Sequence, residues 1–287
     1  MLREKVSQYL GDQKKLEIKA KYSKLKKGFA TTFLSYDGEK LKKKLLSMGI
    51  KETDTLFMHS NFKQDSGFKG TPNDIVNAMV DLLGTKGNLL MVSIPFRGRA
   101  YDYLMRNKTF RVNKTLSMMG LITEAFRRRE GVLRSFHPTH PVLVYGKDSE
   151  WLAKGHEKCV FPCGIGTPFD KFRQLNGKLL FFDVRFTSIT FFHYIEDILK
   201  DKLPFDVYDE KLFTVTAYDQ FNQPKTIKTY AFSRQARNAD KIRAEMSKRN
   251  MIKEGKVGNS NMILVNAENV VSCFIDMVES GNLPYDL

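Results

Sequence analysis

Cysteine is scarce in this chain of 287 residues: Cys159, Cys163 and Cys273 are all there are. So sparse and odd a set excludes a disulfide framework and fits a reducing compartment, so cytoplasmic localisation is expected. No run of about 18 apolar residues occurs, which excludes a hydrophobic membrane span. The opening stretch MLREKVSQYLGDQKK lacks the apolar centre of a secretory signal. Also missing are GxxxxGK[ST], GxSxG, HExxH and a GxGxxG after a strand, which removes the commonest nucleotide-hydrolysing, serine-hydrolase, zincin and dinucleotide classes. Acidic side chains are the minority, 32 against 47 Lys and Arg, for a net charge of +15. That excess attracts nucleic acid, anionic lipid surfaces or phosphate-bearing small molecules.

What is present is enough for a sizeable core, since 42% of residues are apolar. There are no internal repeats or low-complexity linkers. Residues 1–37 are expected to form a basic extension and 38–287 a single domain. Leu41, Leu45, Leu46 and Met48 in GEKLKKKLLSMGI (38–50) have helical spacing. TLFMHS (55–60) is expected to be a buried strand, and TPNDIVNAMVDLLG (71–84) a helix opened by Thr71 and Pro72 and closed by Gly84. GNLLMVSIPF (87–96) is a second strand, so the alternation predicts a layered α/β fold. Residues 97–116 show no clean period and are expected to be a long loop. Further on, a helix (117–130, capped by Ser117), a strand (140–146), a short helix (147–156), a strand buried on both faces (177–184) and a helix (187–201) follow. A hairpin within 203–235, a polar helix, a late strand NMILVN and a terminal helix complete the chain.

Four stretches bear on chemistry. LFMHSNF (56–62) ends a strand in small polar groups, and open α/β sheets bind ligands beyond strand carboxyl ends. LRSFHPTH (133–140) holds two histidines in a loop that Pro138 stiffens; backbone-bonded structural histidines are the plainer alternative. HEKCVFPCGIGTP (156–168) falls short of the four ligands of structural zinc, so no metal is expected, and nothing nearby lowers a cysteine pKa. In TSITFFHYIED (187–197), His193 and Glu196 lie three residues apart on one helix side, while Phe192 and Ile195 point elsewhere. A glutamate beside an imidazole raises its imidazolium fraction and fixes its tautomer. The alternative is an amphipathic helix with a packed histidine.

In order, these stretches resemble the aminoglycoside 3-N-acetyltransferase family. DTLFMHSNF is similar to its strand ending in His-Ser-Ser, and SMMGLITEAFRRREGVLRSFHPTHPVLVYG to its G-x-(I/L)-x-E-x-F-R…R-S-x-H-P-x-H-S run. GIGTPFDKF resembles its G-x-G-S-P turn and TFFHYIED its T-x-L-H-x-x-E helix. The resemblance spans roughly 38–200. It implies a sandwich with a central mixed, largely antiparallel sheet flanked by helices, and direct transfer from acetyl-CoA or another short acyl-CoA to a sugar amine. It also implies site residues. His193 would deprotonate the amine; Glu196 would orient His193 or hold the amine. His137 and Glu124 would join the catalytic group. His59, Ser60, Asn61 and Phe62 would lie along the coenzyme arm, with Thr167 near the thioester. The sequence departs from the pattern at Asn61 and Pro141, where the family has serine, and at Asp183, where it has glycine.

Aminoglycosides are polycations, whereas this chain is strongly positive. The charge points instead to an anionic acceptor, a nucleotide-linked amino sugar for surface polysaccharide, with Arg97, Arg99, Arg106 and Arg111 as its contacts. An aminoglycoside acceptor is the alternative, and a non-catalytic nucleic-acid-binding protein a remote third reading. The expected partners are thus acyl-CoA and a small amino sugar, without nucleic acid; a homodimer is left open.

Overall fold

A computed structural model describes residues 12–106 and 109–286. The first eleven residues of the basic extension lie outside the described residues. The extension's helix α1 (Asp12–Phe33) leads into α2 (Gly38–Ser47), where Asp37 caps the start by accepting from the Lys40 amide at 2.9 Å. Strand β1 (Thr55–Ser60) follows as expected. Helix α3 (Pro72–Leu83) has proline in its first turn, and Asp74 reaches back to the Thr71 amide at 2.7 Å. Gly84 ends it at φ +56°, a left-handed position suited to glycine.

Strands β2 (Asn88–Val92), β4 (Leu133–Arg134), β5 (Val142–Gly146), β6 (Lys178–Phe182), β9 (Ile252–Val257) and β10 (Ser260–Asn266) join β1 in a seven-stranded sheet ordered β4-β5-β2-β1-β6-β10-β9. The β2-β1 and β1-β6 ladders are parallel and the other four antiparallel. The expectation of a mixed, largely antiparallel sheet is met. Alternation along each strand divides the core. Phe57, Leu179 and Phe181 face one side; there they meet α6 (Ser149–Ala153), α7 (Pro168–Gln174), α8 (Phe192–Ile198), α9 (Ala239–Lys248) and α10 (Ala267–Glu279) through Leu152, Phe172, Phe192, Met246 and Phe274. Leu56, Met58, Leu180 and Phe182 face the other, against Leu41 and Leu45 of α2, Met79 of α3 and Phe126 of α5 (Leu121–Arg127). The outcome is a three-layer sandwich.

The expectation of a long loop over 97–116 needs correction. The segment contains α4 (Ala100–Arg106) and β3 (Thr109–Arg111), and β3 pairs in parallel with β7 (Phe213–Tyr218) of the hairpin closed by β8 (Pro224–Thr229). Leu104, Phe110 and Val112 form a small core with Phe213, Val215 and Ile227. Partners a hundred residues away supply the order here, and local periodicity does not report them. Nor does Ser117 cap a helix. Gly120 precedes α5, and the Ser117 amide donates to Glu124 at 3.2 Å instead. The strand 252–257 has no signal in the sequence because its exposed edge carries Lys253, Glu254 and Lys256 rather than an apolar alternation.

Candidate active site

Strands β2, β1 and β6 run parallel, so their carboxyl ends lie on one edge of the sheet, and four of the sequence stretches meet there. His59, near the end of β1, is buried between Phe57 and Phe181, and its Nε2 accepts a hydrogen bond from the Thr190 amide at 3.0 Å. That bond fixes the entry to α8. His140, from the loop before β5, sets its ring edge-on to His193 at 5.8 Å. Tyr208 donates to Asp197 at 2.7 Å, and Gly164 of the GIGTP turn packs on Asp197 so closely that a Cβ there would lie 2.0 Å from the carboxylate.

The centre is the pair on α8. His193 Nδ1 lies 2.8 Å from Glu196 Oε2. Glu196 has no exposed surface, yet both of its oxygens are satisfied. Arg237 Nε donates to them at 2.8 and 2.9 Å, and the Tyr285 hydroxyl donates to Oε1 at 2.9 Å. Burial pushes the Glu196 pKa up, but His193 and Arg237 outweigh it and hold the pKa below its ordinary value. An ionised Glu196 can only accept, so Nδ1 carries the proton and Nε2 keeps its lone pair. The His193 ring stacks on Phe232 at 4.1 Å and its side chain remains 22% exposed. Its pKa lies below the usual histidine value because burial exceeds the opposing pull of Glu196. Glu196 thus pulls toward the imidazolium as expected, but burial outweighs it, and the contact with Glu196 fixes the tautomer.

Several expected site residues take other settings. His137 is fully buried, its ring stacked 4.5 Å from His156, and its Nδ1 faces Thr139. His140, rather than His137, reaches the pair. Glu124 is clamped by Arg127 at 2.6 Å and Arg128 at 2.9 Å; burial opposes them, yet its pKa falls to about 2. Thr167 is buried and donates its hydroxyl to the Gly164 carbonyl at 2.6 Å, so the hydroxyl braces the turn. Ser60 and Phe62 are half-buried, and Asn61 is exposed with its amide bonded to the Phe182 carbonyl. Of the four arginines, Arg99 pairs with Asp209 at 3.0 Å, and Arg111 lies over Tyr218 and donates to Asn222 at 2.6 Å. Arg97 and Arg106 are exposed.

Where the resemblance has a glycine, Asp183 adopts φ +54°. A short polar residue tolerates that conformation when its side chain bonds locally. Here the carboxylate accepts from Ser260 Oγ at 2.6 Å and the Asn261 amide at 2.9 Å. A cleft of about 810 Å³ opens beside Arg128, Arg134, Lys154, Asp219 and Lys225; His193 does not line it. Among the described residues no cluster of metal-ligating side chains occurs and no helix is long and apolar enough to cross a membrane.

Residues 57–279 match the family described as Aminoglycoside 3-N-acetyltransferase. Aminoglycoside N(3)-acetyltransferase III of Salmonella sp is 22% identical over 256 residues, covering 82% of this chain and 88% of the relative. Aminoglycoside N(3)-acetyltransferase IX of Micromonospora chalcea is 22% identical over 84% of this chain and 92% of its own. Among solved structures, "AAC-IIIb binary with CoASH" superposes with a TM-score of 0.74 at 18% identity, covering 86% of this chain and 97% of that one. "AAC-VIa bound to Sisomicin" gives 0.70 at 19% identity, over 86% and 98%. These likenesses show the shared fold. With the family match, they place the chain among the acyl-CoA-dependent N-acyltransferases. It belongs to the aminoglycoside 3-N-acetyltransferase family.

Proposed function

We propose that this enzyme transfers an acetyl or short acyl group from acyl-CoA directly to an amine of an aminoglycoside-type amino sugar, with His193 as the proton acceptor and Glu196 as its positioning partner. The observation behind this reading is the His193 imidazole, its Nδ1 held 2.8 Å from the buried Glu196 carboxylate and its side chain partly exposed. Only a free amine attacks a thioester. As its nitrogen bonds to the carbonyl carbon, Nε2 takes the proton that the nitrogen sheds. The tetrahedral intermediate collapses, the C–S bond breaks, and the imidazolium returns its proton to the departing thiolate, which restores the enzyme. Much of the acceleration would come from holding both substrates together. Transfer through a cysteine is disfavoured, because burial raises the pKa of Cys159, Cys163 and Cys273 alike.

For the acceptor, the names of the relatives favour aminoglycosides, and local charge agrees. Past α8, Asp201, Asp206 and Glu210 accompany Lys200 and Lys202, while Asp209 pairs with Arg99. Such a segment suits a polycation despite the charge of the whole chain. The nucleotide-linked amino sugar expected from net charge draws no support from the relatives, and Arg99 and Arg111 are already engaged within the protein. A thiol-release assay with acetyl-CoA should show turnover with an aminoglycoside panel and little with nucleotide-linked amino sugars. The reverse pattern would refute this acceptor.

A further inference from the structure

Helix α1 precedes the family match, which begins at residue 57, and it contacts the body near its carboxyl end. Ala30 is buried there, and the Leu34 carbonyl lies so near Gly67 that a Cβ on that glycine would come within 2.3 Å. Toward the amino end the helix is almost wholly exposed. Ile18, Tyr22, Leu25, Phe29 and Phe33 follow one another at intervals of four, three, four and four residues, so they form a stripe, with Leu16, 66% exposed, apart from it on the opposite side. Their exposures are 53, 57, 72, 59 and 70%. At 100° per residue, Lys14 and Lys21 border one edge of the stripe and Lys19 and Lys26 the other. Glu17 is the one acidic residue between 14 and 29.

An apolar, aromatic-rich stripe with lysines along both edges matches a helix lying in a lipid headgroup region. Its rings sit at the acyl boundary, and the lysine stems extend along the apolar surface to place their ammonium groups among phosphates. We propose that α1 docks this enzyme on an anionic lipid bilayer surface. Charge selects this occupant over a second copy of the chain. Two copies packed stripe to stripe would face Lys19, Lys21 and Lys26 against one another at the flanking positions where paired helices carry complementary charges.

Co-sedimentation of the full chain with phosphatidylcholine vesicles, with and without phosphatidylserine, tests the proposal. Binding should require phosphatidylserine and weaken with salt. Leu25→Ser combined with Phe29→Ser should lower partitioning at least tenfold, and Lys19→Glu and Lys21→Glu about fivefold each. Thermal unfolding and vesicle-free thiol release should match wild type, showing that the variants are folded. Absence of binding to phosphatidylserine vesicles, or binding indifferent to the Leu25/Phe29 change, would overturn it. So would sedimentation velocity showing a wild-type dimer that the same double change makes monomeric, which would assign the stripe to a second copy.

Discussion

At the scale of single residues, His193 is under opposing influences. Burial lowers its pKa, the bond and charge of Glu196 raise it, and the Arg237 cation lowers it again. Glu196→Gln removes the raising influences, so the acid limb of the kcat/KM profile should move to lower pH. An unmoved limb in parallel pH–rate profiles would mean that another group titrates. Arg237 is a positioning residue that sequence reading missed. It lies 41 positions from Glu196 in a stretch with no period linking them. Tyr285, 89 positions away, is hidden for the same reason. Arg237→Met leaves a fully buried carboxylate short of its guanidinium and should cost about 3 kcal/mol in chemical denaturation. A loss under about 1 kcal/mol would show that His193 and Tyr285 suffice to hold the charge.

At the scale of elements, what could be read ahead depended on whether the signal was local. Thr55–Ser60, Pro72–Leu83 and Lys178–Phe182 could be read from the sequence because caps and apolar runs mark them within a few residues. The small sheet of β3, β7 and β8 could not, since Thr109–Arg111 is a strand only through pairing with Phe213–Tyr218. The site follows the same rule. The His193–Glu196 contact follows from helical spacing, whereas which histidine of the 133–140 loop meets it depends on loop path, and the loop presents His140. Phe57 illustrates the central element: its ring meets both Phe169 and Phe172. Phe57→Ala should destabilise by about 3–5 kcal/mol in chemical denaturation, and a loss below about 1 kcal/mol would place this ring outside the packed core.

For the whole molecule, the buried histidines couple stability to pH. Burial holds His59 at about 4 and His156 at about 3, with His137 and His140 well below the ordinary value. These rings stay neutral when folded but charge in the unfolded chain below about pH 6.5. The unfolded state then binds more protons, so stability should be full above that pH and fall as pH drops toward the folded values. The slope is at most about 1.4 kcal/mol per pH unit for each ring. Denaturation midpoints from pH 8 down to about 4.5 would register this, and a flat series would contradict it. On the proposed mechanism, this fold delivers an acyl group to an amine through His193. The most direct measurement is thiol release from acetyl-CoA with an aminoglycoside acceptor, for wild type and His193→Ala at matched folded concentration. The variant should lose about 10²–10⁴-fold in kcat with its unfolding temperature nearly unchanged. Retained turnover per folded molecule alongside a large loss of stability would contradict it and make His193 a packing residue.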